Sequence, residues 1–421
     1  MKSNDYQDFN VQINEITKEI SQNPQNGEAY LARGYGYFLM QDYPKALADF
    51  TEAIRINPNE AELYVNRGNI YNQLDNYTKA LEDFNKAEDL GFKNSALFHN
   101  RGNLFFKLNK YDEAMNDYNE AIRINPNEAD TYYQRGLCYM KLSKDNEAID
   151  DFTKSIEIDS KISFVFYTRG CLFFKLNKYD EAMNDFNEEI RLNPNYADTY
   201  YRRGLCYTKL SKDNEAIDDF TKSIEIAPNH ADYYFERGCL FEKEKKYENA
   251  LEDYNSAIEL EPNTSIFYFN KGIVLRDEKK YDEAIKEYSK AIRINPECYE
   301  TYFNRGLCYV EIKEHAKAIN DFSRYIAQFP KNQQAYRGRG FCYMKLSDYK
   351  NGIKDFTKAI ELDPSDHYGY YMRGKLFALL GEFTKALESF KIARKINPYI
   401  PQINDTIAAI FNKVKEEINS Q

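Results

Sequence analysis

Four histidines, His99, His230, His315 and His367, lie far apart in the sequence. A hydrolytic triad or a zinc site needs such imidazoles beside a nucleophile or further ligands. No such partner accompanies any of them at a useful spacing, so surface or packing roles are expected. Seven cysteines are present, and the nearest two are Cys298 and Cys308. An odd number so widely spread points away from a disulfide framework or a metal site and towards a reducing compartment. Ser347-Asp348-Tyr349-Lys350 fits the Ser-x-x-Lys pattern of some acyl enzymes, but nothing else of that chemistry surrounds it. Glycine-rich phosphate loops are absent. The expectation is therefore a non-enzymatic protein with no cofactor and no metal. Carboxylates dominate the charge: 67 acidic against 57 basic side chains leave a net charge of −10 and a pI near 5.3. That balance argues against a nucleic-acid binder, which needs a basic face, though it leaves room for a local patch.

The surplus chemistry is aromatic. Among 421 residues there are 37 Tyr and 28 Phe but no Trp. Their placement is periodic. Glycines preceded by a basic residue recur every 34 residues, from Gly34 and Gly68 to Gly340 and Gly374, eleven in all without an insertion. With each glycine set at position 8, repeats run 27–60, 61–94 and onward to 367–400. Position 4 is aromatic in every repeat, from Tyr30 to Tyr370, and position 24 is Phe or Tyr throughout, from Phe50 to Phe390. Position 11 is aromatic in all but one, where Leu275 stands. Position 20 is Ala except at Gly352, and position 32 is Pro except at Phe92 and Ser160. One block is copied more closely still: residues 101–158 and 169–226 are nearly identical.

Helical periodicity gives the repeat its shape. Positions 4, 8 and 11 fall on one face of a helix, and positions 20, 24 and 27 on one face of a second. A polar turn such as Leu108-Asn109-Lys110-Tyr111-Asp112 separates them, and the proline at 32 ends the second helix. Small residues at 8 and 20 are expected to face each other and let the helices approach. One such pair cannot bury its apolar face alone, so neighbours must stack. Position 7 is Arg in every repeat but one, where it is Lys271. Position 23 is Asp in nine repeats, Glu287 in the repeat of Lys271, and Ser389 in the last. Facing positions of an antiparallel pair have nearly constant sums, which sets 7 beside 23 of the same repeat and predicts a ladder of ion pairs.

These residues resemble the tetratricopeptide repeat: aromatic, Gly and aromatic at 4, 8 and 11, Ala and Phe at 20 and 24, and Pro at 32. Position 4 is Tyr or Phe where the family favours Trp, and position 7 is basic where it favours Leu. The resemblance implies an all-α solenoid, a right-handed superhelix of antiparallel helix pairs, with eleven repeats over 27–400. Residues 1–26 read as an N-terminal capping helix with Ile13, Ile16 and Ile20 facing the array. Residues 401–421 read as a C-terminal cap with a stripe of Ile403, Ile407, Ile410, Phe411, Val414 and Ile418, opposite Lys413, Lys415, Glu416 and Glu417. No run of apolar residues is long enough to span a bilayer, and the start lacks a signal-peptide core, so a cytoplasmic location is expected.

The resemblance also implies where a partner would bind. First helices of this family line a groove with positions 2, 5, 6, 9, 12 and 13. Position 5 is aromatic in six successive repeats: Tyr133, Tyr167, Tyr201, Phe235, Phe269 and Phe303. Position 2 adds Asp130, Asp198, Asp232 and Glu300 as an acidic edge. The expected partner is a protein segment with apolar anchors and basic residues. The clamp by which some relatives hold the C-terminal carboxylate of a heat-shock protein is not expected. Asn69 and Asn100 stand at two of its places, but Val65, Asp130 and Gln134 replace its cations, and without cations the desolvation of the carboxylate is not offset. RNA binding is the alternative class, for which position 6 supplies only Arg202 and position 12 only Arg276. An accessory subunit of an enzyme complex is a further alternative.

Overall fold

A computed structural model describes residues 3–419, with side chains described for 10–415. The described residues form 24 α-helices and no strand. They fall into two compact units, Met1–Cys206 and Tyr207–Gln421. The first holds α1 (Ser3–Gln22), α2 (Gly27–Leu39), α3 (Tyr43–Ile56), α4 (Ala61–Gln73), α5 (Tyr77–Asp89), α6 (Ser95–Lys107), α7 (Tyr111–Ile124), α8 (Ala129–Lys141), α9 (Asp145–Ile158), α10 (Ser163–Lys175) and α11 (Tyr179–Leu192), and ends within α12 (Ala197–Lys209). The second holds α13 (Asp213–Ile226), α14 (Ala231–Lys243), α15 (Tyr247–Leu260), α16 (Ser265–Asp277), α17 (Tyr281–Ile294), α18 (Tyr299–Glu311), α19 (His315–Gln328), α20 (Gln333–Lys345), α21 (Tyr349–Leu362), α22 (His367–Leu379), α23 (Phe383–Ile396) and α24 (Ile403–Asn419).

Within each unit a first helix packs on the second helix of its own repeat, and second helices pack on the next first helix, as α2 on α3 and α21 on α22 do. The turn inside each repeat has one fixed device. The residue at position 15 takes a left-handed conformation, from Gln41 at φ 61° to Ser347 at φ 62°, and Gly381 at 79° in the last repeat. The polar side chains there tolerate that backbone, and the chain reverses within three residues.

The core is built from position 24. Phe50, Phe84, Phe152, Phe322 and Phe356 are fully buried, as are the alanines at 20 from Ala46 to Ala386. The glycine at 8 packs closely on that ring. A Cβ on Gly136 would lie 2.6 Å from Phe152 Cε1, and one on Gly272 would lie 2.6 Å from Tyr288 Cε1. Position 20 also faces position 8, as expected: a Cβ on Gly352 would lie 3.3 Å from the carbonyl oxygen of Gly340, the position-8 glycine of the same repeat. The ring is the bulky partner, so the glycine makes room for it.

At the N-terminal end, Ile13 and Ile20 of α1 are buried, and Ile13 Cγ1 would lie 3.0 Å from a Cβ on Gly36. At the other end Ile403 is buried, and Ile407 and Ile410 join the cluster around Ala386 and Phe390. Phe411, placed on the buried stripe by its spacing, is 43% exposed. It lies one residue, about 100° of helix, beyond Ile410 and so turns off the packed face. The side chains of Glu416, Glu417 and Ile418 lie outside the described residues.

Candidate functional site

The charged residues at 7 and 23 meet within one repeat. In the first unit Arg33–Asp49, Arg67–Asp83, Arg101–Asp117, Arg135–Asp151 and Arg169–Asp185 pair at 2.7–2.8 Å. In the second, Arg237–Asp253, Arg305–Asp321 and Arg339–Asp355 do the same, and Lys271–Glu287 closes at 3.4 Å. Each arginine forks onto both carboxylate oxygens, as Arg67 Nε and Nη2 do on Asp83 at 2.8 Å each. The remaining nitrogen reaches the preceding repeat at position 25. Arg101 Nη1 donates to Asn85 at 2.8 Å, Arg169 Nη1 to Thr153 at 2.8 Å and Arg305 Nη1 to Ser289 at 2.9 Å. The guanidinium therefore joins two helices of its own repeat and a third from the repeat before. Position 25 was not singled out from sequence; its run of Thr, Asn and Ser is the signal that could have found it.

The hydrogen bond to Asp83 raises Arg67 above its ordinary range against the pull of burial. Burial alone pushes the Asp83 carboxyl upward, and the bonds from Arg67 oppose it. Since guanidinium stays protonated at neutral pH, the ionised pair is the state that this geometry holds. The last repeat shows the contrast. Ser389 replaces the acid, the buried Arg373 Nε has no hydrogen-bond partner, and burial lowers the Arg373 pKa.

The position-5 rings are half-buried: Tyr133, Tyr167 and Tyr201 in the first unit, and Phe235, Phe269 and Phe303 in the second. Tyr133, Tyr167, Phe235, Phe269 and Phe303 each pack on position 24 of their own repeat. Tyr133 lies 5.7 Å from Phe152, and Tyr167 lies 6.2 Å from Phe186. Phe235 lies 5.9 Å from Tyr254, Phe269 6.1 Å from Tyr288 and Phe303 5.8 Å from Phe322. Second rings flank some of them, such as Phe164 at 4.8 Å from Tyr133 and Phe267 at 5.0 Å from Phe235. These side chains thus pack between helices with one part and meet solvent with the other.

The four acids differ. Asp130 is exposed yet lies 3.2 Å from His99 Nε2, and Asp198 accepts from the Tyr167 hydroxyl and from Arg202 Nε at 3.5 Å. Asp232 and Glu300 are exposed. In the second unit, α14 carries Glu236 and Glu242 besides Asp232, at positions 6, 12 and 2 on one helix face. Burial pushes both glutamates up, and Tyr254 Oη donates to Glu242 at 2.6 Å.

The first unit presents a different surface. Amides line an open cleft of about 590 Å³: Asn69, Asn72 and Gln73 from α4, Asn100 and Asn103 from α6, and Gln134 from α8. Phe38, Phe106 and Lys107 complete it. All are first-helix residues at positions 6, 9, 12 or 13. Asn100 Nδ2 donates to Asn69 Oδ1 at 3.0 Å, and Tyr118 Oη donates to Asn103 Oδ1 at 2.7 Å. His99 is tied down between Thr131 at 2.9 Å and Asn103 at 2.9 Å. An amide offers two donors and two acceptor lone pairs, so these bonds leave capacity facing the cleft. The sequence expectation weighed Asn69, Asn100 and Gln134 only as places of a carboxylate clamp and did not group them with Asn72, Gln73 and Asn103.

The thiols are packing groups. Cys138, Cys308 and Cys342 at position 10 are buried, and burial pushes each up to about 12. Among the described residues no group of three or more His, Cys, Asp or Glu could hold a metal ion, and no helix is long and apolar enough to cross a membrane.

Comparison with known proteins accords with this architecture. A tetratricopeptide repeat model matches residues 61–90, 129–161, 197–230, 231–264 and 334–366. A TPR repeat model matches 34–75, 102–143, 170–211 and 272–313, and a further tetratricopeptide repeat model matches 300–332. A search of curated proteins finds no match. Among solved structures, the C-terminal part of a TPR repeat-containing protein from Cytophaga hutchinsonii is 20% identical, aligns over 57% of this chain and 98% of its own, and gives a TM-score of 0.50. A tetratricopeptide repeat protein from Parabacteroides merdae is 26% identical over 60% of this chain and 99% of its own, with a TM-score of 0.43. YrrB, described as a TPR protein with an unusual peptide-binding site, is 21% identical over 47% of this chain and 97% of its own, with a TM-score of 0.40. With helix pairs in one unbroken period and repeat models matching along most of its length, the chain belongs to the tetratricopeptide-repeat family.

Proposed function

We propose that this protein is a non-enzymatic interaction scaffold that holds a segment of a partner protein against the exposed faces of its first helices. The observation that carries this reading is the amide cleft of the first unit, lined wholly by first-helix positions. Amides that both donate and accept match the alternating N–H and C=O groups of an extended peptide, and main-chain bonds of this kind give affinity without demanding one sequence. Around Tyr133, Tyr167 and Tyr201 in the first unit, and Phe235, Phe269 and Phe303 in the second, the exposed ring edges supply apolar contact at little entropy cost. Asp130, Asp198, Asp232 and Glu300, with Glu236 beside them, favour Lys or Arg on the partner, through steering more than affinity. Asp198 is already engaged by Tyr167 and Arg202, so Asp232 and Glu300 are the cleaner acids to test.

The test is affinity capture with the full chain, read by quantitative mass spectrometry, against two variants shown by circular dichroism to be folded. Asn69→Ala/Gln73→Ala/Gln134→Ala removes three of the six amides of the cleft, one or more from each of α4 and α8, and Asp232→Lys/Glu300→Lys reverses two of the acidic side chains. Partners lost from the first variant place binding at the cleft; partners lost from the second at low salt place it at the acids. If every captured protein binds both variants as it binds the parent chain, the first-helix faces are not the binding surface.

A further inference from the structure

Position 5 carries rings from Tyr133 to Phe303 and then changes abruptly to Arg337. Arg337, in α20, enters an open cleft of about 400 Å³ walled by Leu307 and Val310 of α18, Phe341 of α20 and Tyr368 of α22. Its guanidinium lies 4.4 Å from the centre of the Tyr368 ring. The nearest carboxylate, Asp366, stands 3.6 Å away, beyond hydrogen-bond reach, while the interhelix arginines of this unit hold their acids at 2.7–2.8 Å. Among the described residues Arg337 makes no hydrogen bond, and its side chain is 34% exposed. A flat, stacked guanidinium whose donors are unused is organised to receive an oxyanion in a forked pair.

The wall beside it is bare for a reason of packing. Position 6 is Gly338, where a Cβ would lie 2.8 Å from Phe322 Cζ. Nothing at that position stands between solvent and the guanidinium. Arg337 faces Asp366, and Asp363 also acts on it, so the cleft has no charge to spare for a dianionic phosphate and suits a single carboxylate. Apolar walls stand on both sides of Arg337, Leu307 and Val310 on one and Tyr368 on the other. An acidic residue inside a chain has neighbours on both sides to fill them; a terminal one does not.

We propose that this cleft seats an internal Asp or Glu side chain of a partner segment, flanked on each side by an apolar residue, with Arg337 as its forked donor. The proposal rests on the scaffold reading and adds the one place where that scaffold selects an acid. The probe is a phage-displayed library of short random peptides, panned against the immobilised full chain. Enriched peptides are then synthesised with a free or amidated terminus and with each acid replaced by its amide, and their affinities are measured for the parent chain, Arg337→Gln and Arg337→Lys. The expected result is enrichment of an acid between apolar residues. Arg337→Gln and the peptide's acid-to-amide change should each weaken binding about tenfold to hundredfold, and together little more than either alone. Arg337→Lys, which keeps the charge but loses the fork, should fall between. Losses that multiply independently would overturn the proposal, as would equal affinity for Arg337→Gln or a requirement for the free terminal carboxylate; peptide binding itself would then stand. A library that yields no binder at all would instead remove the scaffold reading and this proposal together.

Discussion

Two regions of every repeat share the first helix and obey opposite rules. On the seam towards the second helix, position 7 is a cation throughout and position 23 an acid in all repeats but the last. Beside that seam, positions 2, 6, 9 and 12 change from repeat to repeat, and position 5 changes from rings to Arg337. Amides gather there in the first unit, and carboxylates and finally Arg337 in the second. The seam is uniform because each pair is largely buried and bonded to a neighbouring repeat. A change there disturbs two repeats at once. The outer face carries no such constraint, so its chemistry is free to record what it meets. The departures from uniformity on the seam and core are therefore the informative ones, and they can be tested in order of size.

The largest effect is expected on breaking a complete pair. Asp321 has a nearly inaccessible side chain held by Arg305 at 2.8 Å. Asp321→Ala leaves that guanidinium buried and uncompensated, which should cost about 3–5 kcal/mol. Replacing both partners, Arg305→Met with Asp321→Leu, should cost much less, because no charge is then stranded. Urea denaturation of the three variants checks this. Equal losses in the single and double variants would mean that the pair contributes by attraction and not through the penalty of a stranded charge.

A smaller effect, opposite in sign, is expected at Glu189. It stands at position 27, is 1% exposed, and its Oε2 has no hydrogen-bond partner. In the closely copied block the equivalent residue is the fully buried Ala121. Burial raises the Glu189 pKa above the ordinary 4.5. The protonated form is thus favoured in the folded chain, so its contribution is fully present below pH 4.5 and is lost as pH rises through the raised pKa. Glu189→Ala should then stabilise the chain by about 1–3 kcal/mol at neutral pH. That gain should shrink as pH falls towards 4.5. Denaturation midpoints of both chains across this range decide it; a gain that does not vary with pH would show that Glu189 is not a strained carboxylate.

The smallest effect is expected from completing the ladder. Ser389→Asp gives Arg373 the acid that the other repeats have, and should stabilise the last repeat by about 1 kcal/mol. Slower amide exchange in α22 and α23 would show it. No change would mean that Arg373 is satisfied by water.

The interhelix pairs were legible in advance because antiparallel helices at a fixed period make facing positions sum to a constant, and Lys271 with Glu287 kept the match in length. The rings at position 5 were legible as a pattern, but not in their division between packing and exposure. That depends on where Phe164 or Phe267 of the following repeat happens to lie. The amide cleft was missed because asparagine and glutamine carry no charge and form no regular series. Only the stacking of α4, α6 and α8 brings them together.

By itself the sequence determined the helix pairs, their period, their turns and the partners across each pair. All of these follow from interactions within one 34-residue repeat, repeated without insertion. Tertiary structure alone decided what depends on two or more repeats at once. It set the third bond by which arginines such as Arg101, Arg169 and Arg305 reach position 25 of the preceding repeat, and the open fork of Arg337 over Tyr368. The physical reason is range. Helical periodicity fixes which residues share a face, but the rotation between stacked repeats fixes which side chains of neighbouring repeats touch, and no spacing along the chain encodes that angle.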